Sequence, residues 1–334
     1  MQIDFTNAFN RVNHKKLFRI MAALGFPSSL IALIRNVYST STTVIRHSTG
    51  PTPRMPVDHG TIQGDSLSPI LFAIYIEPLL RWLHTGERGY RLQVEHDAEL
   101  EVSNLTYADD LNCLSSTLHN TRVQAQKITA YAAWADLTIN LAKSTVTAAL
   151  HHTLKHIGSV SSPTGLAFTR QRLLGQVPLG GGTASYLSPL APFPYLGIQF
   201  TILADWTAQK TKNVNAAKVI CTSLLRSPIK PAFKLLTLDR LVLRKIAYSF
   251  PVCSYTNPEL DDIDRILNRV VKQAYGLPRG MPTPFLRADK NSFGLNRPSI
   301  RSLYHHESAK HLVWATNHAG LISTVMKRLL PLQA

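Results

Sequence analysis

The chain is 334 residues long and 45% hydrophobic, which is long enough for two hydrophobic cores because single cores stop growing at smaller sizes. Lysine and arginine number 36 against 20 acidic residues, a formal charge of +16 that favours a polyanionic partner, although a basic surface can also serve solubility alone. Three widely spaced cysteines exclude a disulfide framework, and polar or charged residues interrupt every long apolar stretch, so we expect a soluble intracellular protein with no membrane partner.

The first 150 residues are predicted to mix helices with short strands. Apolar residues recur at helical spacing from Asn13 to Tyr38 and are interrupted at Gly25 and Pro27, which predicts two helices. Further along, alternating apolar and polar residues predict strands, with glycine or proline at the turns. In chain order the further predictions are a hairpin at 42–58, a helix at 70–83 entered through Ser68 and Pro69, a hairpin at 100–114, a helix at 123–134 and a strand at 137–146.

The remainder of the chain is predicted to be mainly helical and carries most of the charge. Residues 151–192 are rich in serine, glycine, proline and histidine and have little periodicity, so we interpret them as an insertion or flexible loop. Residues 200–334 hold 20 basic and 8 acidic side chains, against 16 and 12 in residues 1–199. We therefore predict two domains, 1–200 and 201–334, of which the second grips a nucleic-acid backbone. Helical spacing is found at 207–225, 238–248, 261–275 and 299–314.

Three aspartates are the candidate catalytic residues. Asp4 lies in an apolar predicted strand, whereas Asp109 and Asp110 are adjacent at the tip of the predicted 100–114 hairpin. Adjacent carboxylates repel one another unless a cation neutralises them, and oxygen ligands of this kind suit Mg²⁺. Two such ions about 4 Å apart can stabilise the attacking and leaving oxygens of a phosphoryl transfer. Taken alone, however, the Asp109–Asp110 pair is more often an ordinary solvated turn.

Three ordered segments change that interpretation, because together they resemble the central motifs of reverse transcriptases. They read DFTNAFNRV (residues 4–12), GTIQGDSLSPILF (60–72) and YADD (107–110). The second segment is most similar to the form found in non-LTR, LINE-type retrotransposons. LTINLAKS (137–144) resembles the motif that follows in this family, and FPYLG (193–197) resembles its primer-grip segment.

The resemblance implies catalytic roles for four residues. It implies that Asp4 and Asp109 are metal ligands and that Asp110 supports them as a third carboxylate of the same metal site. It also implies that Lys143 gives a proton to the leaving pyrophosphate, which is a general-acid role. An isolated lysine would otherwise be read as a surface residue.

Four further matched residues are implied to bind substrate. Phe9 matches the aromatic residue that stacks under the incoming sugar and excludes a 2′-hydroxyl, although an isolated phenylalanine is more often a core residue. Gln63 and Gly64 match the loop that contacts the incoming nucleotide and the template, where glycine allows close backbone approach. Tyr107, the first residue of the YADD segment, is grouped with them.

The resemblance implies an α+β fold, in which a polymerase palm with a small antiparallel sheet backed by helices is followed by an α-helical thumb. The implied function is RNA-directed DNA synthesis with two Mg²⁺ ions, or Mn²⁺ in their place. The implied partners are an RNA template, a DNA primer or target and deoxynucleoside triphosphates, within a retroelement ribonucleoprotein of the nucleus and cytoplasm. Since no fingers segment precedes residue 4, we expect an N-terminally truncated copy of the family's polymerase.

Two alternative functions remain open. A group II intron maturase shares the YADD box, although its usual C-terminal DNA-binding features are not recognisable in this sequence. A degenerate, non-catalytic remnant would bind nucleic acid through the basic second domain without turnover, and retention of all three aspartates argues only weakly against it. A metal site at His151, His152 and His156 is a minor alternative, because no cysteine or carboxylate stands at ligand spacing.

Overall fold

The computed structural model describes residues 1–62, 64–92, 100–148 and 177–329. Contacts within the chain divide it into two compact units, Met1–Pro189 and Leu190–Ala334, and each has its own hydrophobic core. Helices and strands are both present, as predicted for an α+β protein. No helix in the described ranges combines the length and the apolarity needed to cross a membrane.

Short strands among the described residues of the first unit form one sheet of five strands and four separate pairs. The strands are β1 (Gln2–Ile3), β2 (Thr42–Thr43), β3 (Arg46–His47), β4 (Gly50–Pro51), β5 (Met55–Pro56), β6 (Tyr90–Leu92), β7 (Leu100–Val102), β8 (Asn104–Tyr107), β9 (Asp110–Cys113), β10 (Thr145–Val146), β11 (Pro178–Leu179), β12 (Gly182–Thr183) and β13 (Ser185–Tyr186). The sheet has the order β13-β10-β1-β9-β8. Neighbouring strands within this sheet are antiparallel, except that β10 and β13 are parallel. Strand β1 is therefore central and is hydrogen-bonded on both edges.

Four α-helices accompany this sheet in the described ranges of the first unit, and their ends follow from the local sequence. Asn13 precedes the first helix, and its side chain accepts a hydrogen bond from the backbone N–H of Lys16, as an N-cap residue does. Gly25, with φ of 84°, ends that helix in the left-handed conformation that glycine adopts readily. The helices are α1 (His14–Ala23), α2 (Ser28–Thr40), α3 (Ser68–His84) and α4 (Leu118–Trp134).

The core of the first unit joins apolar side chains of the sheet, such as Ile3 and Leu111, to those of the helices. Each large apolar side chain that is fully buried contributes roughly 1.5–3 kcal/mol. Tyr75 is completely buried, and its hydroxyl donates a hydrogen bond of 2.6 Å to the carbonyl of Ala135. Burial raises the pKa of Tyr75 to about 12, so the hydroxyl stays protonated and keeps donating.

Three local predictions for the first unit need correction. Residues 137–146 do not form one strand, because a turn with Ser144 N–H bonded to Asn140 O separates an isolated bridge at Ile139 from β10. Residues 177–186, the end of the predicted loop or insertion, contain three short strands; the earlier part of that segment, including the three histidines, lies outside the described residues. Ser68, which its position before Pro69 predicts as the N-cap residue of helix α3, is instead the first residue of that helix, and Leu67 is the N-cap residue.

The second unit consists of a hairpin followed by helices. The hairpin pairs β14 (Phe193–Tyr195) with β15 (Ile198–Phe200) and lies on the C-terminal side of the division between the units, whereas the predicted boundary follows it. The helices are α5 (Thr207–Arg226), α6 (Pro231–Thr237), a π-helical turn (Leu238–Leu243), α7 (Arg244–Ala247), α8 (Asn257–Ala274), α9 (Thr283–Arg287), α10 (Ile300–Asn317) and α11 (Leu321–Leu329). The sequence analysis missed α6, α9 and α11, which are short.

The three cysteines are buried as free thiols, which confirms the prediction. Cys113 lies in the core of the first unit, whereas Cys221 and Cys253 lie in the core of the second. Burial raises the pKa of Cys113 to about 12 and that of each of the other two thiols to about 11.

Candidate catalytic carboxylate site

The register of the central strand brings the first predicted aspartate opposite the acidic pair. Gln2 pairs with Asn112 and Ile3 with Leu111, so the next position of this antiparallel register sets Asp4 against Asp110. Residues directly opposite in such a pair have Cβ atoms about 5 Å apart and point to the same face. Two carboxylates that are 106 positions apart in the sequence are thus neighbours on one face of the sheet.

The second aspartate of the YADD segment occupies a tight turn beside this pair. Tyr107 pairs with Asp110, so only Ala108 and Asp109 connect β8 to β9. Ala108 has φ of 52°, which is unusual for a residue with a side chain and typical of the turns that match the twist of a hairpin. Local strain of this kind persists only where surrounding structure enforces it, and here the flanking ladder to β1 does so.

The three carboxylates interact electrostatically. Burial raises the pKa of Asp110 above its ordinary value, and the negative charges of Asp109 and Asp4 raise it further. Such clustering of like charges is unfavourable for the folded protein by itself. A bound cation would neutralise the three carboxylates and make their clustering favourable. Repulsion of this kind is therefore expected at a cation site.

Lys143 approaches Asp4 from the other edge of the central strand. The carbonyl of Asp4 accepts a hydrogen bond of 2.8 Å from Asn140 N–H, and its own N–H donates to Ser144 Oγ at 3.1 Å. This turn brings Lys143 Nζ to 3.9 Å from Asp4 Oδ2, with the lysine side chain 70% exposed. An ion pair this exposed contributes little stability, but it sets a mobile cationic group beside the carboxylates.

Phe9 lies in a 3-10 turn next to the glycine-containing loop. Its ring stacks on that of Phe72 with centroids 4.7 Å apart, and its carbonyl accepts a hydrogen bond of 2.8 Å from Thr61 N–H. Phe9 is only partly buried and packs against the core. The backbone of the DFTNAFNRV segment is therefore hydrogen-bonded directly to the start of the GTIQGDSLSPILF segment.

Gly60 makes this close approach sterically feasible. It has φ of 83°, and a Cβ atom added there would lie 2.8 Å from the Cα and carbonyl oxygen of Asn10. Its carbonyl is hydrogen-bonded to His14 Nε2 at 2.7 Å. Sequence reasoning assigned no role to Gly60, although its place at the head of the second motif was a usable signal. No role was predicted for Ser144 either, although it is the last residue of the LTINLAKS segment.

The remaining predicted substrate residues are partly described. Gly64 is exposed with φ of 88° and open space around it, and Tyr107 is 65% exposed at the end of β8. Gln63 lies outside the described residues. The FPYLG segment forms β14 and the following turn in the second unit.

The donor set at the carboxylates fits divalent magnesium in its chemistry. In the described part of the chain, no three His, Cys, Asp or Glu side chains already converge on one point in the manner of a preformed metal cage. Mg²⁺ does not require such a cage, because it is held by one or two carboxylates and completed by water and substrate phosphates. The facing Asp4 and Asp110, with Asp109 at the adjacent turn, supply carboxylate oxygens of this kind.

Comparison with known families identifies the class of protein. The family model described as "Reverse transcriptase (RNA-dependent DNA polymerase)" matches residues 1–200, which is more than half of the chain and includes all three aspartates. The chain therefore belongs to the reverse transcriptase family.

The curated relatives narrow the class to non-LTR retrotransposons. The chain is 23% identical over 299 residues to the Pol polyprotein of the type-2 retrotransposable element R2DM of Drosophila melanogaster, covering 90% of this chain and 26% of the relative. It is also 23% identical over 301 residues to the Pol polyprotein of a type-1 retrotransposable element R2 of Popillia japonica, covering 90% and 46% respectively. The chain thus spans about a quarter of the first of these relatives and about half of the second, and it corresponds to a reverse transcriptase of the non-LTR type.

Proposed function

We propose that this chain performs RNA-directed DNA synthesis, adding deoxynucleotides to a primer 3′-hydroxyl along an RNA template by two-metal catalysis. The observation that supports the proposal most directly is the register of β1 against β9, whose last pair is Ile3 with Leu111. The residues that follow and precede this pair are Asp4 and Asp110, and the charge of Asp4 acts on Asp110. The family match gives that arrangement its chemical meaning. We further propose that the sheet-containing unit is the palm of the polymerase and that the helical unit is its thumb.

In this proposal the three aspartates hold the divalent ions and Lys143 acts on the leaving group. Two bound Mg²⁺ ions would stabilise the attacking and the leaving oxygens of an in-line transfer. Asp4, directly after β1, and Asp110, at the start of β9, would offer carboxylate oxygens, and Asp109 would offer its own from the turn. Lys143, exposed and 3.9 Å from the Asp4 carboxylate, would deliver a proton to the departing pyrophosphate.

Substrate binding is assigned to the four residues that the family resemblance implies. Phe9 would support the sugar of the incoming nucleotide, and its stacking on Phe72 fixes the plane of its ring. Gly64 would allow the backbone to approach the nucleotide and template, because the space next to its Cα is open. Tyr107 and Gln63 complete the proposed substrate contacts. The RNA template, DNA primer and nucleotides are polyanions, which suits a chain of formal charge +16.

The test is primer extension by the purified chain. A labelled DNA primer annealed to an RNA template should bind with an affinity that falls steeply with salt concentration, and it should be extended when Mg²⁺ and deoxynucleotides are added. Asp109→Ala should abolish extension, whereas Asp58→Asn, which removes an exposed charge from a loop of the same unit, should not. Equal extension by Asp109→Ala would disprove the carboxylate site. Binding without extension by the unmodified chain would favour the non-catalytic remnant instead.

A further inference from the structure

The hairpin formed by β14 and β15 is held by side chains rather than by a larger sheet. Among the described strands it forms a two-stranded sheet by itself, and isolated hairpins of this size are at best marginally stable in water. Its two turn residues, Leu196 and Gly197, both have positive φ, 47° and 81°. Glycine adopts this conformation freely, but leucine does not. Neighbouring groups must therefore enforce the turn.

Two side chains of the helical unit hold the turn through its backbone oxygens. Lys212 Nζ donates a hydrogen bond of 2.7 Å to the carbonyl of Gly197, and the Tyr248 hydroxyl donates one of 2.8 Å to the carbonyl of Leu196. Both acceptors belong to the pair of residues with left-handed backbone. The turn is thus fixed from helix α5 and from the residue that follows helix α7.

A third side chain holds the strand beyond the turn. The side-chain oxygen of Gln209 accepts a hydrogen bond of 2.9 Å from the backbone N–H of Gln199. Gln209 and Lys212 are three positions apart on α5, so they lie on the same side of the helix. The Gln209 side chain contacts the second strand of the hairpin, and the Lys212 side chain contacts its turn. Together they oppose sliding and twisting of the hairpin relative to α5.

A buried hydrogen-bond network fixes the orientation of Gln209. Its amide nitrogen donates to Asn213 Oδ1 at 2.9 Å, and Asn213 in turn donates to Ser249 Oγ at 2.7 Å and to the Tyr255 hydroxyl at 2.8 Å. Gln209 and Asn213 are 3% and 2% exposed. Because buried polar groups are costly when unpaired, this network leaves the Gln209 oxygen a single favourable direction, which is toward the hairpin.

We propose that Gln209, Lys212 and Tyr248 are positioning residues that hold this hairpin in the conformation that receives the primer 3′ end. We refer to these three as the anchoring residues. The inference rests on the proposed function and on the resemblance of the FPYLG segment to the primer grip of the family. It adds that the placement of the primer depends on three side chains outside that segment, which themselves touch no substrate.

The test variants remove the side-chain hydrogen-bond donors to the hairpin turn, and we expect them to leave the fold of the helices intact. Lys212→Met removes the cationic donor, Tyr248→Phe removes only a hydroxyl, and the double variant removes both contacts to the turn. Lys212→Arg keeps a cationic donor and serves as the rescue variant. Lys230→Met and Tyr275→Phe are matched controls, because they make the same chemical changes at exposed positions of the same unit.

The first readout is backbone hydrogen exchange without nucleic acid, which does not depend on activity. In the double variant we expect the amides of residues 193–200 to exchange at least tenfold faster, while those of α8 keep their rates. The control variants should match the unmodified chain. Unchanged exchange across the hairpin in the double variant would overturn the anchoring role.

The second readout follows the primer. A primer with a photoreactive 3′ nucleotide should cross-link to residues 193–200 of the unmodified chain, and the double variant should lose most of this cross-link. We expect its KM for primer–template to rise at least fivefold with kcat within twofold, and Lys212→Arg to restore KM. A lower kcat with unchanged KM would overturn the inference, because binding of the primer would then not depend on the anchoring residues.

The outcomes separate this inference from the proposed function. An unmodified chain that extends primers and cross-links through the hairpin, beside a double variant that behaves identically, would overturn the inference alone. An unmodified chain that extends primers without cross-linking through the hairpin would overturn both the inference and the primer-grip assignment, while leaving the carboxylate site standing.

Discussion

Two hairpins of this molecule have similar turns and are stabilised in different ways. Each connects its strands through two residues, and in each the first of the two is a non-glycine residue with positive φ, Ala108 in one and Leu196 in the other. The first hairpin is part of a five-stranded sheet, so backbone hydrogen bonds to β1 fix its position. In the second, Ile198 packs in the core of its unit. Lys212 and Tyr248 donate side-chain hydrogen bonds to its turn, and the Gln209 side chain accepts one from its second strand.

This difference determines which substitutions each hairpin tolerates. A backbone ladder does not depend on the identity of the side chains that it presents, so the turn between β8 and β9 can carry three mutually repelling carboxylates nearby without losing its shape. A hairpin held by side chains depends on residues that are distant in the sequence. Function and stability should therefore be separable at the first hairpin and coupled to remote residues at the second.

The largest expected effect comes from Asp110→Asn. Extension should fall by on the order of a thousandfold, the loss typical when one electrostatic group is removed from a catalytic site. Stability should be equal or higher, because the substitution removes repulsion from Asp4 and Asp109 while the backbone ladder stays in place. Thermal unfolding and primer extension, measured on the same preparation beside Asp58→Asn, will check this. A marked loss of stability would mean that the backbone ladder does not fix the first hairpin.

A second substitution tests whether the glycine loop is held against the first motif. Gly60→Ala should lower the free energy of unfolding by about 3 kcal/mol, because the new Cβ would meet the backbone of Asn10 at 2.8 Å and the residue must keep positive φ. Gly25→Ala is the matched control, since Gly25 has φ of 84° but nothing within 4 Å of the added Cβ, and it should lose only about 1 kcal/mol. Equal losses, measured by chemical denaturation, would show that the close approach is unimportant.

The buried network behind the second hairpin gives the third prediction. Asn213→Ala should destabilise the protein by about 2 kcal/mol, because the groups that Asn213 pairs with are left buried without it. Asn215→Ala, on the exposed side of the same helix, should be neutral or slightly stabilising, since alanine favours helices more than asparagine does. Denaturant unfolding of both variants compares them directly. Similar effects at the two positions would exclude a specific role for the network.

The smallest effect concerns a surface contact of the helical unit and is pH-dependent. Glu259 accepts hydrogen bonds from Lys210 at 2.9 Å and from the backbone N–H of Thr256 at 2.8 Å, and these contacts hold its pKa below the usual glutamate range. A carboxyl group whose pKa is lowered by folding stabilises the folded state at pH values above its unfolded-state pKa. This stabilisation is lost as the pH falls through the folded-state pKa.

Glu259→Gln should therefore lower stability by less than about 1 kcal/mol at neutral pH, as is usual for exposed pairs, and the difference from the unmodified chain should disappear at acid pH. Unfolding measured across a pH series will check the sign. Glu307→Gln is the control, because its contact with Lys310 is 4.0 Å long. A difference that grows toward acid pH would contradict the assignment.

The sequence predicted those parts of the fold and candidate site that depend on local patterns. Helical spacing predicted the helices around Gly25 and Pro27, and alternation around the Asp109–Asp110 pair predicted the hairpin of β8 and β9. The motif resemblance predicted the reverse transcriptase family, which the family match confirms. The residue assignments themselves stay predictions until the variants are assayed.

Long-range contacts escaped sequence reasoning for a physical reason. Parallel pairing of β10 with β13 depends on a register between distant strands of two residues each, too short to show any period. The hydrogen bonds from Lys212 and Tyr248 to a turn join residues up to 52 positions apart, and a single lysine or tyrosine has no local signature of such a contact. Short helices such as α9, with five residues, also lack a full period of pattern.

Because the three thiols are buried, their reactivity can be used to measure local unfolding of the chain. Only the thiolate reacts with alkylating reagents, and burial raises the pKa of Cys113 to about 12 and that of Cys221 and Cys253 to about 11. Each cysteine therefore becomes modifiable when its own surroundings come apart. Cys113 lies in the core of the first unit, and Cys221 and Cys253 lie in the core of the second. The order in which the three are alkylated would therefore show which unit unfolds locally first, without an engineered probe.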